Sequence, residues 1–296
     1  MLNHAFIITV HKEPEVLKKV LNHLQNKNHF FWINIDKKSN YKKQLEMVIN
    51  GFQNVIEITN FNVVHSGFSQ VECTVYFLKK IINYDIKMDY IHFISGQDYP
   101  CVPVNKFDVF FENNNPKSFM HMDTTEECIE WRKKKYLDRV QYYNFGDVFN
   151  SKIMQKFHIP GIINRMFLWK NRGTIEGLWG GWNWFSWHRE VALYVISYYD
   201  THTGFVNRFR YTWCSDELLF PTILHGKEED LNIEPRNSLR FIEWHPKRDC
   251  NSLPLILEES EYNDIVKSGC FFCRKVEFKT SRKLITLLDK KIQDGL

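Results

Sequence analysis

Two carboxylates stand side by side at Asp216 and Glu217, where they open a predicted short helix over 216–224. Adjacent acids repel, and that repulsion can lift one pKa toward the range of a general base. The same pair also suits an ordinary helix start, where acids meet the positive end of the macrodipole or cap it. Basic residues gather further on, at Arg240, Lys247, Arg248, Arg274 and Lys275. Arg offers forked donors and Lys a compact charge, and both suit an anionic ligand. In an extended segment Arg274 and Lys275 face opposite sides, and a strand-edge lysine can also serve only to discourage aggregation. Trp182 and Trp184 share one face of a predicted strand over 180–187, while Trp187 takes the other. A two-Trp face suits the apolar side of a sugar, and it fills a core equally well.

No Asp-x-Asp occurs in the chain. Glu228-Glu229-Asp230 is the nearest imitation, and it reads as a solvated polar loop. Cys270 and Cys273 form a CxxC with no second half, so a four-ligand zinc ribbon is not expected. The seven Cys show no paired spacing, which argues against a disulfide scaffold.

These residues need elements to hold them. Residues 5–10, 30–35, 55–59 and 90–94 read as buried strands, with helical periodicity at 14–24 and 69–83 between them. Such alternation predicts an α/β fold, a mostly parallel central sheet with helices on both faces. Ligands of such sheets sit beyond the carboxyl ends of the strands. Asp36 and the Ser95-Gly96-Gln97-Asp98 loop lie at those ends, although a turn aspartate and a tight turn closed by Pro100 are the plainer alternatives. Residues 124–178, with a Trp131–Lys135 charge cluster, read as an insertion carrying a solvated helical face. After it come strands at 180–187, 239–244 and 270–278, and helices at 188–199, 216–224, 258–267 and 281–292.

The 296 residues allow one large domain and a substantial core. Aromatics make up 16%, with nine Trp and thirteen Tyr, a surplus that fits stacking on sugars or a thick core. A net charge of +4 is too mild for a nucleic-acid coat. No apolar run spans a bilayer and no leader pattern opens the chain, so a cytoplasmic location is expected, with at most peripheral contact at the inner face of a membrane.

Several segments together resemble the core-2/I-branching β-1,6-N-acetylglucosaminyltransferase and peptide O-xylosyltransferase family. They are residues 6–11, the Asp36-Lys37-Lys38 strand end, 67–72, Ser95-Gly96-Gln97-Asp98-Tyr99-Pro100, Cys214-Ser215-Asp216-Glu217 with 220–223, and Phe272-Cys273-Arg274-Lys275. Ser215 stands where the family often has Pro, and the insertion does not match.

The resemblance implies one GT-A-like glycosyltransferase domain over 1–296. It comprises a nucleotide-sugar half at 1–123, the insertion at 124–178 and a catalytic half at 179–296. It implies an inverting transferase that moves N-acetylglucosamine or xylose from a UDP-sugar to a glycan or lipid-linked glycan, with no divalent metal. Glu217 is then the base and Asp216 a support on the acceptor side with Trp182 and Trp184. Asp36 meets uridine or ribose, Val10 and His11 line the nucleotide pocket, and Ser95, Gly96 and Asp98 meet the donor. Lys275 neutralises the diphosphate, with Arg248 or, next, Arg240 as its partner. The alternative from another class is a non-catalytic nucleotide-sugar or carbohydrate-binding module on the same fold. A dinucleotide-binding dehydrogenase is set aside, because no Gly-x-Gly-x-x-Gly follows the first strand.

Overall fold

A computed structural model describes residues 1–134, 136–149, 159–168, 170–246, 248–250 and 253–295. Lys247 lies outside these, as do the side chains of the 131–135 charge cluster. The strands, in chain order, are β1 (His4–Val10), β2 (His29–Ile35), β3 (Val55–Thr59), β4 (Tyr90–Ser95), β5 (Asp98–Pro100), β6 (Ser118–Met122), β7 (Gly181–His188), β8 (Ile233–Glu234), β9 (Arg240–Ile242) and β10 (Phe272–Arg274).

Seven of them form one sheet in the order β3-β2-β1-β4-β7-β6-β8. Only β7 runs against its neighbours, so the sheet is mostly parallel, as expected. β1 shows why it sits near the middle. Its side chains alternate between two cores: Ala5 and Ile7 join one, while Phe6, Ile8 and Val10 join the other. A strand buried on both faces must be apolar throughout, and this one nearly is. The helix Pro14–Leu24 closes one face with Val16, Leu17, Val20, Leu21 and Leu24. The helix Ser69–Ile82 closes the other with Val71, Val75, Leu78 and Ile81.

The sequence pattern failed where elements are short or polar. The predicted strand 270–278 is only β10, and predicted helix 258–267 is a 3-10 turn (Glu259–Glu261) followed by the helix Tyr262–Ser268. The helices Lys42–Ile49 and Val104–Asn114 and the strands β5, β6 and β8 were not expected. Among the described residues, no helix is long and apolar enough to cross a membrane.

A second, three-stranded sheet runs β5-β10-β9. Arg240, the first residue of β9, fixes it to the large sheet. Its Nη2 donates to the carbonyls of Phe93 in β4 (3.0 Å) and Phe185 in β7 (2.9 Å). Its Nη1 donates to Ser186 Oγ at 3.1 Å and to the Ser238 carbonyl. The side chain is buried, and burial pushes its pKa down to about 10, so it stays charged at neutral pH. Sequence reasoning offered Arg240 as a phosphate clamp, whereas the structure commits its terminal N–H groups to three backbone carbonyls and the Ser186 hydroxyl. Arg240→Met strips partners from buried carbonyls of two strands, and we expect it to cost at least about 3 kcal/mol. Urea unfolding measures this, and a loss below about 1 kcal/mol would contradict the assignment.

Candidate active site

The parallel strands end along one edge, and a cavity of about 550 Å³ opens there. Val10 ends β1, Asp36 follows β2 and Ser95 ends β4, and all three line it. His11 and Gly96, the next residues of two of these ends, line it too. Gly96 is needed because a Cβ there would stand 2.4 Å from Val10 Cγ2. Without one, the loop after β4 can pass directly over the end of β1. Asp36 does two things at once. One carboxylate oxygen accepts from the backbone N–H of Lys38 (2.7 Å) and the other from that of Val63 (3.1 Å), so it closes its own turn while lining the cavity.

β10 contributes Arg274 to the wall. Its Nη1 donates to Ser95 Oγ and, at 3.2 Å, to Asp98 Oδ1. Its guanidinium carbon lies 4.4 Å from the centre of the Trp184 ring. A cation held by an ion pair, a hydroxyl and an aromatic face cannot swing freely, so its charge has a set direction.

Asp98 itself is fully buried and is not part of the cavity wall. It accepts from the Ser95 N–H and from Arg274, which places it behind the residues it was expected to accompany. Lys275 is not part of the wall either. It is half-buried, and its pKa is lowered first by burial and then by the charges of Arg274 and Lys12. Arg248 is spoken for elsewhere. It pairs with Glu258 (2.7 Å) and Glu261 (3.3 Å) and lines a separate, smaller cavity.

The two carboxylates occupy unlike settings. Asp216 is buried and accepts from Asn183 Nδ2 at 2.6 Å. Burial, and then the charge of Glu217, push its pKa up to about 7. Ser215, not Asp216, is the helix N-cap. Glu217 is about 30% exposed and accepts from Arg139 Nη1 at 2.9 Å. Arg139 in turn lies over the Trp213 ring, 4.7 Å from its centre. Both carboxylates line the cavity, so one is positioned to meet solvent or ligand while the other is held in the wall.

Trp184 lines the cavity and Trp182 does not, so the expected two-Trp platform does not form. Trp182 stacks on His121 at 4.2 Å instead. The register between β6 and β7 slips between Met120 and Met122, beside Gly181, and such a bulge breaks the simple alternation of side chains. Sequence reasoning also missed Arg139, Asn183 and Lys12. Arg139 lies in the poorly matching insertion, and nothing near Asn183 marked it. Lys12, also in the wall, was signalled only by following His11 at a strand end.

The sequence matches the core-2/I-branching enzymes over residues 4–266. The chain belongs to this family. Its members are glycosyltransferases, and every residue lining the strand-end cavity except Arg274 lies within the matched span. Among relatives, the chain is 24% identical to xylosyltransferase 2 of Pan troglodytes, an alignment covering 96% of the chain and 33% of that protein. It is 22% identical to xylosyltransferase 1 of Rattus norvegicus, covering 96% and 35%. The chain thus spans about a third of the length of these curated relatives. Mouse xyloside xylosyltransferase 1 overlaps in structure with a TM-score of 0.38 at 9% identity, covering 93% of the chain and 96% of that one, a likeness too low to carry an argument.

The buried Asp216 gives this family member a signature in pH. Its folded pKa is raised above the unfolded value of 3.8, so the folded state holds the proton longer. Stability from this group is present below about pH 4 and lost as pH rises toward about 7. Asp216→Asn cannot charge and keeps an acceptor for Asn183. Its stability advantage over the wild type is expected to grow between pH 4.5 and pH 8 to the order of a few kcal/mol. Thermal melts across that range check it, and a constant difference would show that Asp216 ionises normally.

Proposed function

We propose that the chain transfers N-acetylglucosamine or xylose from its UDP form to a glycan hydroxyl, with inversion and without a divalent cation, in the building of a surface polysaccharide. The observation that carries this reading is the meeting of Glu217 and the Arg274 guanidinium in the wall of one cavity. A cavity of about 550 Å³ falls within the range that small-molecule ligands fill.

The chemistry divides between a carboxylate and a set of cations. The acceptor oxygen attacks the anomeric carbon as the bond to UDP breaks. The hydroxyl proton passes to Glu217, and the departing electron pair stays on the diphosphate. Arg139 steadies the Glu217 carboxylate for that proton. Arg274, with Lys12 in the same wall and Lys275 beside it, meets the charge that grows on the leaving group. Fixed guanidinium and ammonium groups do the work that a cation held by Asp-x-Asp would do, and the chain has no Asp-x-Asp. Trp184 offers its ring to the donor side, and Asp36 and Val10 hold the nucleoside end.

UDP release from a panel of UDP-sugars, with and without EDTA, tests this. One donor should turn over in EDTA. Glu217→Gln should lower kcat by at least about 100-fold with donor affinity nearly unchanged. Arg274→Ala should weaken donor binding by about 10-fold or more, the loss of one charge-assisted contact. Turnover that appears only on adding Mn²⁺ or Mg²⁺ would remove the cationic-clamp mechanism. Donor binding with no turnover on any glycan acceptor would make the chain a binding module.

A further inference from the structure

The amino ends of the central strands carry a buried polar cluster that sugar transfer does not use. His4 opens β1, His29 opens β2, and Asp108 projects from the helix Val104–Asn114. Both imidazoles are fully buried, and Asp108 is 14% exposed. His29 Nε2 is 2.7 Å from Asp108 Oδ1, and His4 Nε2 is 3.8 Å from the same oxygen. Ligand atoms of all three residues lie within 4.8 Å of one another.

Hydrogen-bond bookkeeping shows what this cluster lacks. His29 Nδ1 is 2.7 Å from the Leu24 carbonyl. A carbonyl only accepts, so Nδ1 carries the hydrogen. A neutral His29 therefore turns the lone pair of Nε2 toward a carboxylate oxygen. Two lone pairs at that distance need a positive centre between them, either a proton or a metal ion. His4 separates these choices. Its Nδ1 pairs with His92 Nε2 at 3.0 Å, while its Nε2 is buried and has no hydrogen-bond partner. A proton on His29 satisfies His29 and Asp108 but leaves His4 Nε2 stranded. A divalent cation satisfies all three residues at once. Asn28 lies against the same carboxylate, and its Oδ1 is also without a partner.

We infer that His4 Nε2, His29 Nε2 and Asp108 Oδ1 bind a zinc-class divalent cation that ties the starts of β1 and β2 to the helix Val104–Asn114. Two imidazoles and one carboxylate are a zinc donor set, and Asn28 Oδ1 or water completes four. Tetrahedral bonds of about 2.0–2.2 Å set ligand atoms roughly 3.3 Å apart, so the short pair opens and the long one closes by about half an ångström each. Leu24 and His92 supply the outer contacts that fix each ring. His4 and Val10 are the two ends of β1, about 20 Å apart at roughly 3.3 Å per residue, so the site is structural and remote from the cavity.

The test uses the full chain, freed of any histidine tag, stripped with a zinc chelator and titrated with Zn²⁺ and Co²⁺. The wild type should take up one equivalent of Zn²⁺, gain about 5 °C or more in Tm, and give the visible absorption of tetrahedral Co²⁺. His4→Phe keeps the ring packed among Phe107, Phe111 and Tyr90. It should bind Zn²⁺ at least 100-fold more weakly with donor turnover unchanged. If that variant does not fold, Asp108→Asn replaces it. ¹⁵N spectra of the wild-type histidines then add a second reading, in which Zn²⁺ must shift both Nε2 signals. A proton on His29 Nε2 at saturating Zn²⁺, or an unchanged Tm, overturns the site. Because UDP-sugar turnover is read separately, a failed metal site leaves the transferase reading intact, and the reverse also holds.

Discussion

One guanidinium sets the relation between the two sheets. Arg240 reaches from β9 into the seam where β4 meets β7 and donates to a backbone carbonyl on each. Both carbonyls are deep in the molecule, and a buried acceptor without a donor is costly. The seam therefore stays closed only while this side chain stays in it. Strand pairing carries the constraint to the cavity. β9 pairs with β10, so Phe272 lies opposite Arg240, and two residues later Arg274 lies opposite Ile242. On its other side β10 pairs with β5, which sets Arg274 opposite Asp98. The cation in the cavity is thus positioned by a second cation that never reaches the cavity.

The cavity works by keeping unlike groups in unlike surroundings. Asp216 is sealed in the wall beside Asn183, while Glu217, the next residue, stays accessible and faces Arg139. One helix start thereby presents a reluctant acid and an accessible carboxylate, and burial is the largest cause of that reluctance, with the charge of Glu217 next. Arg274 is restrained from three sides by Ser95, Asp98 and Trp184. Groups restrained in this way need not reorganise when charge develops near them.

The strand-end rule made part of this visible in the sequence. Val10, Asp36, Ser95 and Gly96 follow from knowing where buried strands stop, and the Asp216-Glu217 pair stands out by its own chemistry. The C-terminal cations were harder to read. Alternation separates Arg274 from Lys275, but only the true end of β10 says which of them enters the cavity. That end depends on pairing with β5, a three-residue strand too short to show periodicity. Arg240 and Arg248 look alike as letters, yet one is locked to backbone carbonyls and the other to two glutamates. Trp182 left its expected face because a slip in register is invisible without the partner strand. Partners distant in the chain decide these cases, except that of Arg248, whose glutamates follow it by 10 and 13 residues.

The bond from Arg274 to Ser95 joins residues 179 positions apart. A chain is made from its amino end, at roughly 5–20 residues per second. The strands β1, β2 and β4 can therefore pair many seconds before Arg274 exists. During that interval the strand ends are an open ledge, with Lys12 present and Arg274 missing. The cavity wall is therefore completed late, and a nascent chain that has paired its first strands still lacks the one guanidinium that Ser95, Asp98 and Trp184 hold in place.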